Sequence, residues 1–454
     1  MKKTLLLSLL ASSSVLLFGQ TTPIPDPIFE QRLINLGIDT NGLNGNILNA
    51  DAEAETELFL NFEDINDLTG IEAFINLTSL QCQSNNLTSI DLSANTQLTF
   101  INLGNNDLTS IDTSSNTALT SLSVWGNDLT SLDTSQLTEL VFLNCNSNSD
   151  LNSLDISNNP LLESFTSDFT NLSSFNTTQN QNLIDLSVRG NNLTTIDLSN
   201  NTLLEELDLG VNNITSIDVS NNPLLKSFAI SDINTLDISV NTQLEYLFLS
   251  GTSLNNLDLS NQPTLKVLEI SFSALTSLDL SNQPLLEVLQ CRQNDLTELD
   301  LSAQGALTEL NCSLNDLNYL NMQNGNNTNV TNFNALDNPN LLCIQVDDVE
   351  FSNANWTDVD PEVSFSEDCA LAVNDFTLQA NLSLFPNPAN TLVQINTSND
   401  TPLTQIELYT VAGKKITIPL ALNNTIDISH LSQGIYLLVA HTLDERATKK
   451  LIVQ

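Results

Sequence analysis

Apolar and polar positions along this chain of 454 residues keep a fixed rhythm. In the stretch LTFINLGNNDLTSIDTSSN, aliphatic residues fall at Leu98, Ile101 and Leu103, with Asn106 after them. The phrase restarts at Leu108 and Ile111 and closes on Asn116. A whole copy spans about 21 residues, LxxLxLxxNxLxxLDLSxN, and about twelve copies run from Leu77 to roughly Leu320. A repeat of that length predicts a mainly β solenoid, because one coil cannot bury its own apolar face and must stack on its neighbours. Inward places alternate with outward ones, so adjacent coils should pair as strands about 4.8 Å apart.

Both flanks break the rhythm. IPDPIFEQRLINLG spaces Ile28, Phe29, Leu33, Ile34 and Leu36 as an amphipathic helix that Gly37 ends. A turn-rich stretch and a first strand at Leu58 and Leu60 follow, so residues 21–76 are expected to cap the first coil. DTNGLNG within it has some flavour of a calcium loop but lacks the full spacing and the closing glutamate of that motif. Before it, Lys2 and Lys3, an apolar run and then Gly19, Gln20, Thr21 and Thr22 mark residues 1–20 as a secretory signal peptide. No later stretch is apolar for about 18 residues, so no transmembrane segment is expected.

Cysteine usage agrees with export. Cys82, Cys145, Cys291 and Cys312 share one inward column and are expected as free thiols in the core. Cys343 and Cys369 lie beyond the repeats and suit a disulfide in an exported protein. A second column, Asn85, Asn106, Asn127, Asn148, Asn191, Asn212, Asn294 and Asn315, can bond the backbone at each bend.

The nested phrase resembles the 21-residue class of bacterial leucine-rich repeats. The entry segment, IPDPIFEQRLINLGIDT with DLTGIEAFINL, resembles that of surface leucine-rich proteins from the Bacteroidetes. So does the exit, whose Cys343, Trp356 and Cys369 imply a closed C-terminal cap over residues 324–373, after repeats spanning 77–323. From 374 to 454 the composition shifts, and short strands separated by turns predict a small immunoglobulin-like β-sandwich. Its motifs resemble the C-terminal sorting domain of type IX secretion cargo: Pro386, Asn387 and Pro388, then Gly413 and Lys414, then Leu431, Gly434 and Tyr436, then Lys449 and Lys450. Phe385 stands where Tyr is commoner, and HTLDERATKK lacks the usual glycine turn. That resemblance implies handling by the type IX machinery and a final place on the outer cell surface or outside it.

Charge narrows the partners. With 54 acidic and 12 basic residues, a net charge of -42 repels nucleic acid and anionic membranes. The acids are ordered: Asp91, Asp112, Asp133, Asp155, Asp197, Asp218, Asp237, Asp258, Asp279 and Asp300 share one outward place, usually with Ser or Thr two residues either side. Hydroxyl or backbone donors with mobile counterions would relieve their repulsion, and no cofactor is then needed; Ca2+ bound between carboxylates, in a structural surface component, is the alternative. The opposite, concave sheet should carry the variable outward residues. Phe100, Trp125 and Phe142 are expected as one patch and Tyr246, Phe248 and Phe272 as another, with Phe169, Arg189, Glu269 and Arg292 on the same face. His430 and His441 are the only histidines, and both lie in the C-terminal domain. No catalytic pairing or phosphate loop accompanies them. The expected function is non-catalytic recognition or adhesion toward an extracellular protein or glycan.

Overall fold

The computed structural model describes residues 20–369, 382–397, 402–410, 414–419, 421, 424–441 and 446–454. The signal-peptide reading, apart from Gln20, and Gly413 of the sorting motif lie outside them.

Each coil contributes at least one short strand whose middle residue points inward. Leu58, Leu80, Ile101, Leu122, Leu143, Phe165, Leu186, Phe228 and Leu247 are fully buried at that place. The chain divides into two compact units: the first runs to Leu254 and takes in Asp258–Leu265, and the second holds Asn255–Leu257 and Lys266–Gln454. In the first unit the strands from Glu57–Phe59 and Ser79–Gln81 onward to Tyr246–Phe248 pair in parallel, each with the next coil. The side chains of one column therefore face the same way on every coil.

The Asp-bearing half-coils depart from expectation. Among the described residues of the first unit they form no strand. Each Asp side chain instead accepts the N–H of the residue two places on, a local turn that competes with ladder formation. In the second unit the half-coil strands Glu298–Asp300 and Tyr319–Asn321 do pair in parallel, and Cys343–Gln345 and Ser364–Ser366 extend that sheet.

The N-terminal helix Pro27–Asn35 is capped by Asp26, which accepts the N–H groups of Ile28 and Phe29. Its other oxygen accepts those of Asn66 and Asp67. Burial pushes the Asp26 carboxyl up, but these four backbone donors outweigh it and hold the group below the usual carboxylate range. The end of the DTNGLNG loop and the residue after it turn the N–H groups of Asn44, Gly45 and Asn46 onto Oε1 of the buried Glu30.

At the far end of the repeats the helix Val349–Asn355 precedes the buried Trp356. The indole stacks on Phe333 at 4.2 Å and donates to the Val330 carbonyl at 3.1 Å. Cys343 and Cys369 are disulfide-bonded, with Cα atoms 5.8 Å apart. Beyond them an antiparallel three-stranded sheet and an antiparallel four-stranded sheet share one core that includes Val393, Ile395, Leu408 and Leu438.

Candidate binding surfaces

After each strand the chain turns through one residue with positive φ. Asn105, Gly126, Ser147, Phe169, Gly190 and Val211 occupy this place on successive coils of the first unit. Glycine and asparagine adopt that conformation readily; phenylalanine and valine do so only under strain. The ladder asparagine comes next, except after Phe169, where Thr170 takes its place. Asn106 Nδ2 donates to the carbonyls of Cys82 and Leu103, and its Oδ1 accepts the N–H of Leu87. The same pattern recurs at Asn127, Asn191 and Asn212.

A second amide column closes the other half of each coil. Asn95, Asn116, Asn180, Asn201 and Asn222 are wholly buried and donate to carbonyls of the preceding coil. Gln262 and Gln304 take over the place later in the chain. The repeat phrase ended on this asparagine, but an outward turn residue and a buried one look alike in a pattern of aliphatics.

The aspartate column lies in solvent. Asp91, Asp112, Asp133, Asp155, Asp197, Asp218, Asp237, Asp258, Asp279 and Asp300 each accept the N–H of the Ser two residues later, at 2.9 to 3.0 Å. The hydroxyl and N–H of Ser114 hold Asp112 below the ordinary carboxylate range, and Asp91 and Asp218 are lowered in the same way. Among the described residues no group of three His, Cys, Asp or Glu side chains could hold a metal ion.

The aromatic and basic residues separate into two settings. Phe100, Phe142, Tyr246, Phe248 and Glu269 stand on strands and face outward. Ser121 lies between Phe100 and Phe142 in the register, so those two rings are not adjacent. Trp125, Arg189 and Arg292 lie instead in the turn after the strand, and Phe169 and Phe272 on its positive-φ residue. The strand is only about three residues long, so places counted outward by alternation fall beyond its end. Arg292 lies over the Phe272 ring at 5.4 Å, a cation–π pair.

In the turns, large side chains lie over glycines of the next or previous coil. A Cβ on Gly104 would fall 2.0 Å from Trp125 Nε1, and one on Gly190 would fall 2.5 Å from Phe169 Cδ1. Arg189 covers Gly210 in the same manner and pairs with Asp208 at 3.6 Å. Trp125 thus leans toward the preceding coil and Phe169 toward the following one. Between them opens a recess of about 290 Å³ lined by Trp125, Asn144, Asn146, Ser147, Asp168 and Phe169. Burial pushes the Asp168 carboxyl up, against the Ser187 hydroxyl and the Arg189 N–H that donate to it.

The core thiols are buried and free. Burial pushes Cys82, Cys145 and Cys312 up to about 12 and Cys291 well above its ordinary value. In the C-terminal domain, Asn387 clamps the last strand: its Nδ2 donates to the Lys450 carbonyl and its Oδ1 accepts the Ile452 N–H. Pro386 and Pro388 flank it. The Lys414 N–H donates to the Thr410 hydroxyl, and Gly434 opens the strand Gly434–His441. Tyr436 is buried on that strand, its hydroxyl donating to the Ser432 carbonyl.

A coil made of a short parallel strand, a left-handed turn and a buried asparagine ladder defines the repeats as a leucine-rich repeat solenoid. Solved structures agree. The functional domain of InlJ from Listeria monocytogenes is similar at 24% identity and a TM-score of 0.64, over 96% of this chain and 99% of that one. An internalin, inlF, from the same organism is similar at 23% identity and a TM-score of 0.60, over 78% of this chain and 100% of that one. A leucine-rich repeat protein from Leptospira interrogans is similar at 20% identity and a TM-score of 0.50, over 70% of this chain and 80% of that one. At these identities the likeness establishes the fold alone. No curated protein matches the chain. Residues 383–454 match the secretion system C-terminal sorting domain family. The protein therefore joins a leucine-rich repeat solenoid to a type IX sorting tail, which directs export to the cell surface or beyond it. Among the described residues no helix is long and apolar enough to cross a membrane.

Proposed function

We propose that the solenoid is a non-catalytic recognition surface that binds an extracellular protein or glycan in adhesion, with residues 1–20 as the signal for the first membrane crossing. One observation carries this reading: the outward strand places differ from copy to copy, while the inward, aspartate and amide-ladder places largely agree. Inward strand positions are nearly all Leu, Ile or Phe, and the aspartate place is nearly uniform because an Asp–Ser turn fits there. The two outward places of each strand, by contrast, hold Phe and Asn, Ser and Ser, Asp and Ser, Glu and Asp, or Tyr and Phe. The fold does not dictate the first of the two, so it is free to serve contact, whereas at the second Asn102, Asn144 and Asp208 hold the turn that follows. Tyr246 is 38% exposed on such a place, and exposed aromatics are effective anchors.

An array of extracellular proteins and glycans probed with the full-length secreted protein tests the proposal. A partner captured by the wild type should be lost by Phe100→Ser, Phe142→Ser, Tyr246→Ser and Phe248→Ser combined, and kept by multiple Asp→Asn changes in the acidic column. The reverse outcome would transfer function to the acidic side.

A further inference from the structure

We propose that the recess between Trp125 and Phe169 is a binding site for a single neutral pyranose ring, an assignment that rests on the recognition role above and adds to the strand face a second, separate contact. The walls are two aromatic rings that splay apart over glycines, one coil's worth of small residues lying between them. The positions bearing them are two coils apart, about 10 Å along the stack. The axial C–H groups of a pyranose form an apolar, weakly positive face that meets the negative face of such a ring. The sugar's hydroxyls then need directed partners, and the floor supplies them. Asn144 Oδ1 accepts the Asn146 N–H, and Asn146 Oδ1 accepts the Asp168 N–H. Those bonds fix both amides, so each Nδ2 is the free end, and neither has a partner among the described residues. Asp168 uses Oδ1 for Ser187 and Arg189 and leaves Oδ2 unpartnered among the described residues.

Two fixed donors beside one acceptor match adjacent hydroxyls. They disfavour the other ligand an aromatic pair with a carboxylate suggests, an organic cation, since both amides present N–H groups. An acidic sugar is opposed by Asp168 and by the net charge of -42. The backbone points the same way. Phe169 holds φ at 52° in a column where neighbouring coils have Ser147 and Gly190, and its side chain stays exposed. Strain kept for an exposed ring is unexplained by folding and agrees with a role in contact.

The two tryptophans make the test direct, because Trp356 is buried and Trp125 alone lies in the recess. Acrylamide quenching of the full-length secreted protein would be followed with lactose, cellobiose, maltose and diacetylchitobiose up to roughly 20 mM, above the millimolar Kd expected of one ring. At least one sugar should roughly halve the quenching constant of Trp125, saturably. Phe169→Gly should abolish that protection without lowering the melting temperature, since glycine accepts the turn, and Asn146→Ala should weaken it. No protection by any of the four, protection unchanged in Phe169→Gly, or equal protection by choline would each overturn the assignment. The strand-face variant with Phe100, Phe142, Tyr246 and Phe248 replaced should keep sugar protection. If the sugars fail while that variant still loses a captured partner, the recess assignment falls and the strand-face reading stands.

Discussion

Asn106 donates to a carbonyl of the previous coil and to one of its own, and accepts an N–H through its other end. Its side chain is 6% exposed, so water cannot replace those bonds. Asn106→Ala would leave buried backbone groups unpaired, at roughly 2–4 kcal/mol. Equilibrium denaturation in urea should register that loss, whereas Asn105→Gly at the exposed turn residue, whose positive φ glycine accepts, should have little effect on stability. The asparagine column was legible in the sequence because only one polar residue type recurs among aliphatics at Asn85, Asn106 and Asn127. The turn residue before each was not. Positive φ is expected of glycine and asparagine, and Phe169, Val211 and Phe272 give no such signal. Two of the aromatic residues expected on the strand face, Phe169 and Phe272, therefore belong to the turn.

At the scale of one coil, a short strand alternates with a half that is held by side chain to backbone bonds. Leucine spacing revealed the strand, whose inward residue lies between two outward ones. It could not distinguish a second strand from a chain of Asp–Ser turns, because both place the same aliphatics inward. The turns have a pH signature. Asp112, Asp133 and Asp197 are held below their ordinary pKa of 3.8 by Ser114, Ser135 and Ser199. A lowered carboxyl adds stability above 3.8 and loses it as pH falls through the lower folded value. Asp112→Ala, Asp133→Ala and Asp197→Ala combined should therefore lower the melting temperature at neutral pH. The gap to the wild type should close on acidification well below 3.8, and calorimetry across that range would read it. A gap independent of pH would mean that the turns act through packing instead.

For the whole molecule, the two parts were legible to different degrees. Stacking followed from the period alone, and the tail followed from the order of its motifs, which residues 383–454 confirm as a secretion system sorting domain. Removing residues 374–454 should leave the protein in the periplasm of its native host, as fractionation and immunoblotting would show. Normal arrival at the surface would refute the tail's part in export. The recess was not legible, since its walls come from positions 125 and 169 and its floor from a strand end and turns between them. No stretch of neighbouring residues contains it.

The pairing of a bulky side chain with a glycine on an adjacent coil, seen at Trp125 with Gly104 and at Phe169 with Gly190, has a bearing on how such a chain diversifies. Both partners sit in turns, outside the leucine core and the amide ladders. A wall can therefore migrate by one coil through two exchanges, a ring for a small residue and a glycine beside it. Variation of that sort would renew the pattern of clefts while the scaffold beneath is inherited unchanged.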